Sequence, residues 1–419
     1  MTRSLALLLA LVVLASVRAF PSSSEEEVDD HENDKSFWIN KAQATLSKKL
    51  NQVYLERRAK NVIFFLGDGM SIPTLAAARI YQGQLEGKSG EESQLSFEKF
   101  PFTGLSKTYC VNSQVADSAC SATAYLGGVK GNIGTIGVNA RVQLSDCAAM
   151  KNTSNHVSSV LHWSQKAGKS TGIVTTTTVT HASPSGNYAH TANRNWESPD
   201  DVVASLFKTG NMKYHWEADP YKYPTLEEMT RVAIEVLRKN ERGFFLFVEG
   251  GRIDHGHHAT TAHIAVDETL EFAKAIQAAV DLTNEKETLI VVTSDHGHTM
   301  TFSGYPARGN NIFHTAGTSS GDGFPYSTLS YANGPGYKPV RHDISTDNMD
   351  AFDYQFPASV PLSTETHDGS DVGIFARGPF SHLFTGVIEQ NVIPHLIAYA
   401  SCVGSGRTYC RLHKENIDQ

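Results

Sequence analysis

A short run of the chain concentrates residue types that bind metal ions. Between Glu249 and His258 the sequence reads Glu-Gly-Gly-Arg-Ile-Asp-His-Gly-His-His. Asp254 and His258 are four residues apart, so on a helix they share one face and offer one carboxylate oxygen and one imidazole nitrogen to the same cation. Zinc accepts this mixed donor set, whereas His255 and His257 would point elsewhere. The run therefore predicts a pair of zinc ligands.

Further candidate ligands stand elsewhere in the chain. Asp68, Ser183 and Glu249 offer only oxygen atoms, the donors that a magnesium ion prefers, so they indicate a second and harder cation. The pair Asp295-His296 could join either ion. Each of these features also has a plain explanation when taken alone, because an Asp after a strand is commonly a helix or turn cap. Ligands from separate parts of the chain form a metal centre only if the fold brings them together.

A candidate nucleophile lies in a stretch of small residues, Val115 to Ala124. Asp117-Ser118 stands at the start of a predicted helix, where backbone N–H groups and the helix dipole can receive an anion. A serine hydroxyl beside a zinc ion can lose its proton near neutral pH and attack without a histidine base. The alternative is an ordinary N-cap at the start of a small-residue packing helix.

A second nucleophile motif competes with Ser118. The segment Gly317-Thr318-Ser319-Ser320-Gly321 matches the pattern G-x-S-x-G of serine esterases. That motif requires a strand before it and a helix after it. Neither is expected here, since polar and small residues precede the segment and Gly-Phe-Pro follows it. The sequence predicts a glycine-rich loop instead.

Four short apolar runs must position these residues, and each ends in candidate ligands. The runs are Val62–Leu66 before Asp68, Gly172–Val174 before His181-Ala182-Ser183, Phe244–Val248 before Glu249, and Leu289–Val292 before Asp295-His296. Continuous apolar strands are typical of a parallel sheet that is covered on both faces, and predicted helices at 226–237 and 265–282 lie between them. Ligands bind at the carboxyl ends of such strands. The predicted fold is an α/β three-layer sandwich with a mostly parallel central sheet.

Six motifs, in order along nearly the whole chain, resemble those of animal alkaline phosphatases. They are Asp117-Ser118-Ala119, His181-Ala182-Ser183-Pro184, Asn193-Arg194-Asn195-Trp196, Glu249 to His258, Asp295-His296 and Glu365-Thr366-His367-Asp368-Gly369. The resemblance implies a homodimeric, secreted or membrane-anchored phosphomonoesterase with two Zn²⁺ and one Mg²⁺ per subunit. It implies hydrolysis of small phosphate monoesters through a phosphoserine, with an alkaline pH optimum.

The resemblance also assigns roles to individual residues. One zinc would be held by Asp254, His258 and His367, the other by Asp68, Ser118, Asp295 and His296, and magnesium by Asp68, Ser183 and Glu249. Ser118 would be the nucleophile, and Arg194 would bind two phosphoryl oxygens with its planar guanidinium. Asp117 and His181 would support the site from behind these residues.

The chain departs from the family between Trp196 and Met212, where it is much shorter, so part of the sheet is expected to be absent. The usual partner of Cys147 would lie in the missing stretch. Lys208 and Tyr223 stand where carboxylates of a calcium site are expected, which puts that site in doubt. A catalytically impaired protein that only binds is therefore one alternative. A sulfatase or nucleotide phosphodiesterase of similar fold is another, but the Asp-Ser-Ala motif with Arg194 argues against it.

Composition and termini place the protein outside the cell. The chain has 419 residues and a net charge of −8, so it has no general affinity for nucleic acid or anionic membrane. Residues 1–19 read as a signal peptide, 20–35 as an acidic arm, 36–403 as the catalytic domain, shortened between about 197 and 211, and 404–419 as a tail. An amphipathic helix is expected from Ser36 onward. The tail lacks the apolar end of a lipid-anchor signal, so no membrane anchor is visible.

Five cysteines and one glycosylation acceptor fit this exterior location. Cys402 and Cys410 close a short loop and are predicted to form a disulfide, while the states of Cys110, Cys120 and Cys147 stay open. Asn152-Thr153-Ser154 is the acceptor motif. The odd number of cysteines leaves at least one without a partner in the chain.

Overall fold

The computed structural model describes residues 30–196 and 210–415. The predicted signal peptide, residues 20–29 of the arm, residues 197–209 with Lys208, and residues 416–419 of the tail lie outside these ranges. The chain divides after Asn51 into two units. The first contains a 3-10 turn at Asp30–Asn33 and helix α1 (Lys35–Leu50), whose N-cap Asp34 accepts the N–H of Ser36. The predicted helix is present, but the structure buries none of its residues.

The second unit alternates strands and helices. Its strands are β1 (Asn61–Gly67), β2 (Phe102–Lys107), β3 (Ser170–Thr175), β4 (Phe244–Gly250), β5 (Thr288–Thr293), β6 (Gly297–His298), β7 (Met300–Phe302), β8 (Thr315–Thr318), β9 (Pro325–Ser327), β10 (Leu329–Gly334), β11 (Ala358–Pro361), β12 (His367–Asp368), β13 (Val372–Arg377) and β14 (Gly386–Glu389). Its helices are α2 (Ile72–Leu85), α3 (Ser118–Gly127), α4 (Cys147–Lys151), α5 (Val160–Lys166), α6 (Ala182–Ser185), α7 (Leu226–Leu237), α8 (Arg252–His258), α9 (Ala262–Leu282), α10 (Ile393–Ser401) and α11 (Tyr409–Glu415).

Seven of the strands form the central sheet, in the order β14-β2-β13-β5-β1-β4-β3. All neighbouring pairs are parallel except the two that involve β13, which runs against the rest. The four apolar runs in the sequence are β1, β3, β4 and β5, and they lie side by side as β5-β1-β4-β3. The prediction of a mostly parallel sheet is confirmed.

Both faces of the sheet are covered. Ile63 and Phe65 of β1 pack into one buried cluster with residues of α2, α7 and α9, whereas Val62, Phe64 and Leu66 pack into another with residues of α3, α5 and α10. A strand that alternates between two buried clusters has no polar face, which explains its continuous apolar sequence. The three-layer arrangement is confirmed.

Three small sheets stand outside the central one. They are β11-β10-β7, β12-β6 and β8-β9. The G-x-S-x-G segment begins in β8 and turns into its antiparallel partner β9, so the expectation that no strand precedes it is wrong. It is still no nucleophile elbow, because a hairpin strand follows it instead of a helix.

The last described residues are held by a covalent link. A disulfide joins Cys402 to Cys410 at the start of α11, which forms within the segment predicted as a tail. Within residues 30–196 and 210–415, no helix combines the length and apolar character needed to span a membrane.

Candidate metal and phosphate site

The carboxyl ends of three neighbouring strands bring three acidic side chains together. Asp68 follows β1, Glu249 lies near the end of β4, and Asp295 follows β5. The register pairs Leu66 of β1 with both Glu249 and Thr293, so these ends are level with one another. All three carboxylates are fully buried. Buried charges of one sign at one place require compensation by cations or protons.

A first group of ligands consists of Asp254, His258 and His367. Helix α8 presents Asp254 and His258 four residues apart, with His258 Nε2 at 3.4 Å from Asp254 Oδ2. His367 Nε2 lies 3.4 Å from Asp254 Oδ1 and 3.2 Å from His258 Nε2. Each ring turns its other nitrogen to a backbone carbonyl, His258 Nδ1 to Glu365 O and His367 Nδ1 to Ala116 O. Both Nε2 atoms are therefore directed at the same point beside Asp254, as zinc binding requires.

A second group surrounds the candidate nucleophile. His296 Nε2 lies 3.0 Å from Asp295 Oδ2, 3.2 Å from Ser118 Oγ and 3.6 Å from Asp68 Oδ1. Asp68 Oδ1 is buried and has no hydrogen-bond partner among the described residues. A buried carboxylate oxygen with no partner costs free energy unless a cation occupies the space beside it. The donor set of two carboxylates, one imidazole and one hydroxyl suits zinc.

A third group offers oxygen atoms alone. Ser183 Oγ lies 3.5 Å from Asp68 Oδ2, and Glu249 Oε2 accepts hydrogen bonds from the hydroxyl groups of Thr175 and Thr177. Glu249 Oε1 is buried without a hydrogen-bond partner in the described chain. Asp68 thus stands between two groups. This oxygen set fits magnesium.

The pKa shifts reflect this crowding of negative charge. Burial, together with the charges of Asp295, Asp254 and Glu249, raises the pKa of Asp68 well above its ordinary value. Burial likewise raises the pKa of Glu249 to about 7. Both groups hold protons more tightly than free carboxylates because protein atoms alone do not neutralise them. A bound divalent cation would reverse that balance.

Ser118 begins helix α3 and is almost fully buried. Asp117 is the N-cap of that helix, with its Oδ1 accepting the N–H of Cys120 at 3.1 Å. The other oxygen of Asp117 accepts from Arg194 Nη1 at 3.0 Å, and Gly134 N–H donates to both. One carboxylate therefore orients the nucleophile's helix and the arginine together.

His181 lies between Arg194 and the third ligand group. Its Nε2 is 3.3 Å from Arg194 Nη2, and its Nδ1 is 3.9 Å from Asp68 Oδ2. Burial, with a further contribution from the Arg194 charge, lowers the pKa of His181 to about 3. The neutral ring can accept an N–H from the guanidinium, so Arg194 is held from two sides with one edge left for an anion.

Two residues of the site were not singled out from the sequence. His298 Nε2 contacts Asp254 Oδ1 at 2.7 Å, and His298 Nδ1 contacts Glu365 Oε2. Both residues are fully buried. The antiparallel pairing of β6 with β12 sets His298 opposite His367 and so brings residue 365 near residue 298. The one available signal was that both lie inside the motifs that contain Asp295-His296 and His367.

The histidines expected to point elsewhere do so. His257 is buried between the hydroxyl groups of Thr74 and Tyr331, at 2.9 Å from each. His255 lies within 2.7 Å of Arg252 Nη1. Neither belongs to the three ligand groups.

Disulfide pairing resolves two of the open cysteines. Cys110 and Cys120 form a disulfide that ties α3 to the loop before it, and Cys147 at the start of α4 is free and exposed. Asn152 is exposed after the same helix, where its Oδ1 accepts the N–H of Ser154. The acceptor motif is accessible.

Comparison with known proteins identifies the family. The family model described as alkaline phosphatase matches residues 59–205 and 200–403. The chain belongs to the alkaline phosphatase family. Membrane-bound alkaline phosphatase of Bombyx mori is 40% identical over 480 residues, covering 90% of this chain and 87% of that protein. The tissue-nonspecific isozyme of Gallus gallus is 41% identical over 481 residues, covering 91% and 92%, and alkaline phosphatase of Gadus morhua is 41% identical over 475 residues, covering 90% and 99%.

Solved structures agree on the fold. Alkaline phosphatase from the Antarctic bacterium TAB5 superposes with a TM-score of 0.59 at 23% identity, covering 84% of this chain and all of that one. The enzyme from Thermus thermophilus gives 0.61 at 19% identity, covering 88% and 98%. The chain is thus an enzyme of the alkaline phosphatase family, whose members hydrolyse phosphate monoesters, and its residues form clusters able to bind metal ions.

Proposed function

We propose that this protein hydrolyses phosphate monoesters through a phosphoserine at Ser118, with two zinc ions and one magnesium ion in the three ligand groups. The observation that carries the proposal is the convergence of Ser118, Arg194 and three carboxylates from separate strands on one buried site. Asp254, His258 and His367 would hold one zinc. Asp68, Ser118, Asp295 and His296 would hold the other, and Asp68, Ser183 and Glu249 would hold magnesium.

The residues of the chain divide the reaction between them. Arg194 binds two phosphoryl oxygens through its planar N–H groups and aligns phosphorus with Ser118 Oγ. The Ser118 oxygen forms a bond to phosphorus as the bond to the alcohol oxygen breaks, and the alcohol leaves with a proton. Water then attacks the phosphoserine, which restores the Ser118 hydroxyl and releases inorganic phosphate.

When bound, the metal ions lower the pKa of hydroxyl groups and neutralise the oxygens that gain negative charge. Asp117 keeps Arg194 and the start of α3 in one orientation throughout. Because the serine and the attacking water must both lose protons during a cycle, we propose that activity rises toward alkaline pH. The site grips the phosphoryl group alone, so we propose broad acceptance of the alcohol.

We also propose that the mature protein is an extracellular homodimer, glycosylated at Asn152. The signal-like residues 1–19, the two disulfides and the exposed acceptor support this location. A secreted sample would show the dimer by light scattering and the glycan by a loss of mass after glycosidase treatment.

The experiment that tests the function is metal exchange on the purified secreted chain. Chelation should abolish hydrolysis of an aryl phosphate, and zinc with magnesium should restore it, with metal analysis showing zinc in excess of magnesium. Rates measured across neutral to alkaline pH should rise. A fully loaded protein without turnover would instead make it an inactive relative, and activity without zinc would contradict the proposed centre.

A further inference from the structure

One edge of the central sheet is open beside an apolar groove. Strand β3 is the last strand of the sheet and pairs, among the described residues, with β4 alone. Five of its six residues are only partly buried, whereas every residue of β4 is buried. The groove beside it has a volume of about 710 Å³ and is lined by β3, by α7 and by the residues that lead from Gly210 to Pro224.

The open edge carries none of the usual protection against strand pairing. Natural edge strands are guarded by charged residues, proline or short length. Strand β3 reads Ser-Thr-Gly-Ile-Val-Thr and has neither charge nor proline. The opposite edge, β14, has four residues and ends in Glu389, which forms ion pairs with Lys107 and Lys130. The two edges of one sheet thus differ in what they can accept.

The groove is apolar where it faces this edge. Met229, Val232 and Ala233 of α7 line it opposite Ile173 and Val174 of β3. Val232 is 60% exposed although it lies in a groove with other apolar side chains. Exposed apolar groups beside an unpaired strand are what an added strand covers when it joins a sheet edge.

The comparisons show that residues are missing at this point of the chain. The match to the family model breaks into two pieces that meet at residues 200–205. Alignments with the Bombyx mori and Gallus gallus relatives run over 480 and 481 positions, more than the 419 residues of this chain. The chain re-enters the described structure at Gly210, in the groove lining, and Met212 N–H donates to Thr176 O just beyond the end of β3. The additional residues of the relatives would therefore leave and return at the open end of the groove.

We propose that this groove and the β3 edge form a docking site for an extended segment of a separate polypeptide, which adds a strand to the sheet. The segment has apolar side chains at alternate positions, because one face of an added strand meets Val232 and its neighbours while the other meets solvent. Its backbone pairs with β3, and neither residue of the catalytic site nor metal takes part. The proposal does not depend on the activity of the protein.

Binding can be tested with peptides that cover the residues lacking here. Short fluorescent peptides are tiled across the stretch of the Gallus gallus relative that aligns between Trp196 and Met212, and their anisotropy is measured with the secreted, metal-loaded protein. At least one peptide should bind, and hydrogen exchange should show new protection of the amides at Thr171–Thr175. Absence of binding by every peptide, or protection elsewhere in the molecule, would overturn the proposal.

Two substitutions on one helix provide a matched pair. Val232→Asp places a charge in the groove and should weaken peptide binding at least tenfold. Val236→Asp is one turn further along α7, 55% exposed and outside the groove lining, and should leave binding unchanged. Equal effects of the two variants would contradict the proposed site. If the parent protein self-associates instead, and Val232→Asp alone prevents it, the occupant is a second copy and the proposal is wrong. If peptides bind only after deletion of residues 197–209, the chain fills its own groove and the proposal is likewise wrong.

Discussion

Two buried glutamates should respond in opposite ways to the same substitution. Glu365 and Glu268 are each no more than 5% exposed. Glu365 receives three donors, since Thr299 N–H and Oγ1–H bind one carboxylate oxygen at 2.7 and 2.6 Å and His298 Nδ1 binds the other. Glu268 accepts the N–H of His215 at 2.6 Å. We predict that Glu365→Gln strongly destabilises the protein and that Glu268→Gln stabilises it at alkaline pH.

The expected cost of Glu365→Gln follows from its partners. Burial lowers the pKa of His298, but hydrogen bonds and charges from Asp254 and Glu365 outweigh it and raise that pKa to about 10. The ring is therefore a buried cation between two carboxylates. A glutamine has one acceptor oxygen for three donors and turns an N–H₂ group toward at least one of them. Removing one partner of a buried ion pair costs about 3–5 kcal/mol, a large part of the roughly 5–15 kcal/mol that stabilises a typical protein.

Glu268 carries a charge that the fold disfavours. Burial raises its pKa from 4.5 to about 7. The folded state thus binds this proton more tightly than the unfolded state, so the group destabilises the fold above pH 7 and the penalty declines as pH falls toward 4.5. A shift of this size corresponds to about 3 kcal/mol. Glu268→Gln should recover most of it at pH 8.5 and about 2 kcal/mol less at pH 5.5.

Urea unfolding followed by tryptophan fluorescence measures both effects. The two variants and the parent are compared at both pH values, with metals and after chelation, and Glu365→Asp serves as the conservative control that keeps the charge. Less than about 1 kcal/mol lost in Glu365→Gln would show that the His298 pair does not hold the site together. A Glu268→Gln variant less stable than the parent at pH 8.5 would show that Glu268 is not buried as a charge.

Three further predictions concern the catalytic groups and the free thiol. Ser118→Ala should remove most hydrolysis of an aryl phosphate while zinc stays bound, because three other ligands of that ion remain; full residual activity would contradict the role of Ser118. Arg194→Lys should weaken inhibition by inorganic phosphate by about tenfold, since a point charge replaces a two-pronged hydrogen-bond donor, and unchanged inhibition would mean that Arg194 does not hold phosphate. Cys147 should react with a thiol reagent in the native protein, whereas the other four cysteines should not; a native sample without a reactive thiol would show that Cys147 has a partner.

The sequence predicted the strands that carry the site because each one is apolar throughout. A strand buried on both faces must be apolar at every position, so β1, β4 and β5 could be recognised without an alignment. The polar residue at the end of each then marked the edge where ligands meet. Helix α7 has the predicted bounds, and α9 begins three residues earlier than predicted, at Ala262.

Contacts between distant segments could not be predicted in this way. Glu365 reaches His298 only because two-residue strands pair across a separation of 67 residues, and so short a pairing leaves no periodic signal. The reversed strand β13 has the same apolar composition as its parallel neighbours. Spacing alone also left open which of Cys110, Cys120 and Cys147 are joined. These features depend on the tertiary fold and have no local signature.

The central claim is that Ser118 carries the phosphoryl group during turnover. The metal-loaded protein is mixed with an aryl phosphate, quenched in acid and digested, and the peptide that contains Ser118 is examined by mass spectrometry, with the Ser118→Ala protein treated in parallel. The account predicts a phosphoryl group on Ser118 in the parent and none in the variant. A protein that turns over the substrate without any phosphorylated Ser118 peptide, or a phosphoryl group on another residue, would contradict it.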